Sequence, residues 1–107
     1  MTDQDKPRRA VALLHSGHDP EVYQSLLYRH RLKIVYTVHT DASAVLAALI
    51  AVQHALEHLA EAVVVPHLDT PDADAPWWVI TEATDLITST GEYPLRSRLA
   101  APMREEP

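Results

Sequence analysis

The chain has 107 residues, 47% of them hydrophobic, and its 15 Asp plus Glu against 9 Lys plus Arg give a formal net charge of -6. It has no cysteine but seven histidines. That length bounds the fold to one small domain, and the acidity argues against a nucleic-acid backbone as partner. Lack of cysteine excludes disulfides, thiolate metal sites and cysteine nucleophiles, leaving histidine and carboxylate for any metal or acid–base chemistry.

Residues 1–9 are polar and read as a disordered tail without the apolar core of a signal peptide. The apolar run 10–14 suits a strand buried on both faces, and it ends in His15-Ser16-Gly17-His18-Asp19-Pro20. Asp19 then caps a helix with Pro20 at its first position. Residues 32–39, rich in β-branched side chains, predict a second strand. Thr40 or Asp41 is expected to cap the longest helix, where Val45, Leu49, Val52, Leu56 and Leu59 step by four and three into one buried stripe. Residues 62–65 predict a third strand. Asp74 and Pro76 signal another helix, carried by Val79, Ile80, Ala83, Leu86 and Ile87 to a stop at Gly91. Residues 93–95 could add a short edge strand, and residues 96–107 read as a loose tail.

The order β-α-β-α-β-α predicts one α/β domain over residues 10–95: a small three-layer α/β/α unit with a mainly parallel sheet of three to four strands. No stretch is apolar enough to span a membrane, so a soluble, cytoplasmic protein is expected.

In such sheets ligands bind beyond the carboxyl ends of the strands, near the point where strand order reverses. Here the first strand ends in His15, Ser16, His18 and Asp19, the second in His39 and Asp41, and the third in His67 and Asp69. With the order 2-1-3 these groups would converge. His15, His39, Asp41, His67 and Asp69 would then suit zinc, and Ser16 beside His and Asp could form a nucleophile set. The simpler alternative is that short polar residues close strands and cap helices, and it carries more weight. His54 and His58, four apart with Glu57 and Glu61 nearby, share a helix face; such a pair can chelate a metal, but it lies away from the strand-end crevice and reads mainly as exposed polarity.

Beside the main stripe of the long helix runs a small-residue strip, Ala44, Ala48, Ala51 and Ala55, with Leu46 and Ile50 farther round. This is more apolar arc than one sheet face needs, so Leu46, Ile50, Ala48, Ala51 and Ala55 are candidate homodimer contacts. Trp77 and Trp78 are further interface candidates, unless one packs inward and the other lies along the surface.

Residues 10–16 (Ala-Val-Ala-Leu-Leu-His-Ser) and 62–69 (Ala-Val-Val-Val-Pro-His-Leu-Asp) carry a resemblance. In element order over residues 10–90, the chain resembles the N-terminal catalytic domain of serine recombinases, the resolvase/invertase family. The resemblance places Ser16 at the nucleophile position and Asp69 at a motif aspartate. Leu14 and Thr70 stand where the family has arginines, and residues 71–73 supply no third. A phosphodiester transition state needs such guanidinium groups. The resemblance therefore implies a shortened, catalytically degenerate, resolvase-like relative without strand cleavage. The leading expectation is a non-catalytic domain acting through protein contacts, most simply as a homodimer, with another protein partner also open. The alternative is a metal-binding protein or metal-dependent hydrolase built on the strand-end cluster.

Overall fold

The computed structural model describes residues 7–68 and 77–95. In chain order the elements are β1 (Arg8–Leu14), α1 (Pro20–Arg29), β2 (Leu32–His39), α2 (Ala44–Glu57), β3 (Ala62–Val65), α3 (Trp78–Thr81), β4 (Asp85–Thr88) and β5 (Glu92–Tyr93). They form a five-stranded sheet of order β2-β1-β3-β4-β5. The first four are parallel, and β5 returns antiparallel to β4. The α/β class and parallel sheet match the sequence pattern, with five strands where three to four were expected.

Burial follows position in the sheet. Every residue of β3 and β4 is buried, as is β1 from Ala10 onward, because these strands have neighbours on both sides. At the edge, β2 is mostly half-buried, which is why its sequence mixes Lys33, Tyr36 and Thr37 with aliphatics. Alternate residues of β1 feed two core clusters. Ala10, Ala12 and Leu14 join Val64 and Ile87 under Leu26 of α1. Val11 and Leu13 join Val63, Val65 and Leu86 under the alanines of α2 and Ile80 of α3.

Three details depart from the sequence reading. First, β1 begins at Arg8, inside the stretch expected to be tail, because polar neighbours hold it: Arg8 N–H donates to the Arg31 carbonyl at 2.9 Å, and the Arg9 carbonyl accepts from Glu61 N–H at 2.8 Å. The Arg8 guanidinium also reaches the buried Asp85 carboxylate at 2.8 Å and Glu92 at 2.9 Å, pinning β1 to the far strands.

Second, the last expected helix stops at Thr81, and residues 85–88 are a strand. Leu86 and Ile87 were spaced to continue a helix from Val79 and Ile80. In β4 they point to opposite sheet faces, one into each core cluster. Pairing with the whole of β3, together with the β-branched Ile87 and Thr88, outweighs the short helical period. The expected helix start at Asp74 and Pro76 lies outside the described residues.

Third, the two apolar stripes of α2 exchange roles. Ala48, Ala51 and Ala55 are 0%, 0% and 1% exposed against the sheet, whereas Val45, Leu46, Leu49, Leu56 and Leu59 are 50–80% exposed. Methyl-sized side chains let the helix axis approach a sheet face already filled by Val11, Leu13, Val63 and Val65. So Ala48, Ala51 and Ala55 are not surface groups, and Val45, Leu49, Leu56 and Leu59 are not core. The cap also differs. Ser43 accepts from Leu46 N–H, while the Thr40 hydroxyl accepts from Ala42 N–H. Asp41 is thereby left to other work.

Candidate functional site

The reversal of strand order falls between β1 and β3, where a doubly wound sheet opens a crevice. His15 follows β1 and His67 follows β3, and their rings lie 5.2 Å apart across it. The far side of His67 meets the buried Trp77 edge-on at 6.2 Å. One step toward the sheet edge, Leu14 pairs with His39 in the β1–β2 ladder. Leu14, Ser16, His39, Thr40 and Asp41 there line an open cavity of about 220 Å³. Sheet order 2-1-3 thus gathers the strand ends as the pattern anticipated.

What the groups do to one another follows from a tight turn after β1. His18 N–H donates to the His15 carbonyl at 3.0 Å, and the His18 ring Nδ1 lies 2.7 Å from the same oxygen. Gly17 N–H donates to His15 Nδ1 at 2.9 Å, which leaves Nε2 to face Asp41 Oδ1 at 3.4 Å. Gly17 approaches so closely that a Cβ there would stand 3.3 Å from His15 Nδ1. Asp41 accepts from Ser16 N–H at 2.8 Å. That N–H and the Ser16 hydroxyl, then the nearby His15 and His67, hold the Asp41 carboxyl below its ordinary 3.8. Partial burial, then the neighbouring His15 and His67's other neighbour His18, push the His67 imidazole below 6.5, and Asp41 opposes them.

This arrangement commits the ligands to protein partners. Ser16 gives its N–H to Asp41, and its hydroxyl adds to the pull that keeps that carboxylate ionised. His15 Nδ1 is taken by Gly17, and His39 lies toward the cavity and not in the His15–His67 pair. Among the described residues, the strand-end groups do not bring three ligand atoms within 4.8 Å of one another. The expected zinc set of His15, His39, Asp41 and His67 is therefore not assembled, and Asp69 lies outside the described residues.

Of the interface candidates, Leu46 is half exposed, Ile50 packs partly against the core, and Trp77 is buried at 9%. Trp78 lies half-buried, edge-on to Tyr93 at 6.1 Å. One tryptophan therefore packs and the other lies along the surface. The outward leucine face of α2 escaped the sequence reading. His54 and His58, read there mainly as exposed polarity, come together with Glu57: the ligand atoms of the three lie within 4.8 Å of one another under the Tyr36 ring. The spacing was visible in the sequence; the tyrosine that covers it comes from another element.

Among the described residues no helix is long and apolar enough to cross a membrane. Compared with protein-family models, curated proteins and solved structures, the chain shows no match.

Proposed function

We propose that this chain is a self-associating α/β module, resolvase-like in plan, that acts through protein contacts, with a second copy seated on the outer face of α2. One observation carries this reading: four large aliphatic side chains of α2, Val45, Leu46, Leu49 and Leu56, and Leu59 just after it stand 50–80% exposed. Scattered surface leucines need no explanation, but a contiguous stripe of this kind marks an interaction surface.

A second copy is the occupant that the pattern favours. Val45, Leu49, Val52, Leu56 and Leu59 repeat at four and three residues, which is the seam spacing of paired helices. Such a seam complements itself across a two-fold axis. From Ala44 to Leu56 the helix carries no Lys, Arg, Asp or Glu, so nothing on it selects a charged partner. Leu59, 80% exposed, closes the helix with a left-handed φ of 54°, the Ala60 N–H donating to the Ala55 carbonyl at 2.9 Å, and so carries the apolar face past the last turn.

The strand-end groups support the same reading. Recombinase-type strand cleavage is not expected of a site with Leu14 and Thr70 in place of arginines and with Ser16 bonded to Asp41. The full chain is expected to sediment as a dimer at micromolar concentration, and Leu49→Glu/Leu56→Glu as a monomer of unchanged circular dichroism. A wild-type monomer throughout that range would end the proposal.

A further inference from the structure

We propose that His54, Glu57 and His58 at the end of α2 form a binding site for a zinc ion, separate from the strand-end cluster and independent of the self-association above. The two histidines are one helical turn apart and Glu57 lies between them, so all three reach the same side of one turn. Each offers a ligand atom, and these atoms lie within 4.8 Å of one another. Two imidazoles and a carboxylate make the donor set of open, four-coordinate zinc centres.

Three observations set this group apart from ordinary exposed polarity. The Tyr36 ring of β2 stacks on His54 at 4.2 Å and 21° and on His58 at 4.9 Å and 20°. One aromatic platform therefore fixes both imidazole planes before any ion arrives, which reduces the ordering a ligand must impose. Next, His54 Nδ1 is buried and makes no hydrogen bond that would occupy its lone pair. Finally, that nitrogen stands 3.4 Å from Glu57 Oε1. Two ligands of a tetrahedral ion with bonds of about 2.0–2.1 Å are separated by about 3.3 Å, so this pair already has the spacing of one edge.

The surroundings support the ligands. Gln53 Nε2 donates to Glu57 Oε2 at 3.4 Å, steadying the carboxylate. The Arg9 guanidinium donates to the His58 carbonyl at 2.6 Å and holds the final turn in place. Glu57 is half exposed, so its carboxylate can rotate to draw the third ligand closer without moving the helix. A remaining coordination position would take water or a small anionic ligand.

The test is zinc titration of the full chain, purified without a histidine tag, in competition with a chromophoric chelator; cobalt replaces zinc in a parallel visible-absorption measurement. The expected result is one zinc per chain and a tetrahedral cobalt spectrum. His54→Ala or His58→Ala should weaken binding by roughly 100-fold, and Glu57→Gln, which preserves the helix, by roughly 10-fold. His15→Ala/His67→Ala should leave it unchanged. The proposal fails if wild type takes up no zinc at about 100 µM free ion, a weak-binding concentration on the affinity scale. It also fails if zinc survives His54→Ala/His58→Ala, or if it follows His15 and His67 instead. Should the alanine variants unfold, Glu57→Gln and the cobalt spectrum still decide the matter.

Discussion

The two faces of α2 are both apolar, yet they have opposite fates. The face of Ala48, Ala51 and Ala55 is sealed against the sheet, while that of Val45, Leu49 and Leu56 is at least half exposed. Hydrophobicity alone would bury the larger side chains, since each leucine removes more area from water than an alanine. The difference is one of shape. A sheet face filled with valine and leucine accepts a thin helix surface, and the alanines allow close approach where leucines would hold the helix off. Burial on this helix follows fit, and the large residues are left for something outside the chain.

That contrast can be broken from the inside first. Ala51→Leu places extra carbons where no space remains, and it should cost about 3 kcal/mol of unfolding free energy in urea titration. If it costs little, the alanine face is not the tight one. Ser43→Ala removes the hydroxyl that caps α2 and should cost about 1 kcal/mol, whereas Thr40→Val should disturb only the preceding turn. Leu59→Gly should do the reverse: it relieves the left-handed backbone and stabilises the dissociated chain by about 1 kcal/mol, while weakening self-association.

A smaller effect separates the strand-end cluster from both helix faces. His67 holds its proton less well in the folded chain than its ordinary 6.5, owing to burial and its histidine neighbours. The folded state therefore favours neutral His67, and the resulting stability is complete above pH 6.5. It is lost as the pH falls through 6.5 toward the lower folded value, because the unfolded chain takes up the proton first. Urea midpoints compared at pH 7.5 and 5.5 should show this decline, and His67→Gln should reduce it. Asp41 acts at lower pH: its stabilisation stands above the ordinary 3.8 and fades as the pH falls through its depressed value.

Much of this architecture can be read in the sequence, and the failures share one cause. Continuous apolar runs at 10–14 and 62–65 announce strands with neighbours on both sides, and the polar residues that follow them mark the carboxyl edge. Asp19 before Pro20 announces α1, and Asp19 does accept from Glu21 N–H. By contrast, the spacing of Val45, Leu49, Val52 and Leu56 says that they share a face but not what that face meets. Leu86 and Ile87 fit a helix period and a buried strand equally well, and only pairing with β3 decides between them. The strand-end residues were legible as a group, because topology alone brings them together. Their bonds were not, because Gly17 N–H meeting His15 Nδ1 depends on one turn. Tyr36 over His54 and His58 is likewise a contact between elements that no local period encodes.

The most direct test of the outward face uses the absence of cysteine from the chain. Leu49→Cys/Leu56→Cys places two thiols on the seam, about 10 Å apart along the helix, too far to bridge within one chain. In a parallel pair of helices joined along this seam a thiol of one copy meets the same thiol of the other; in an antiparallel pair it meets the alternate seam position, so Leu49→Cys/Leu56→Cys is also mixed with Val45→Cys/Val52→Cys. Mild oxidation at micromolar protein should yield a covalent dimer, and Ala51→Cys/Ala55→Cys, on the sheet face, should stay monomeric. Covalent dimer from the alanine face, or none from the leucine face, would contradict the account.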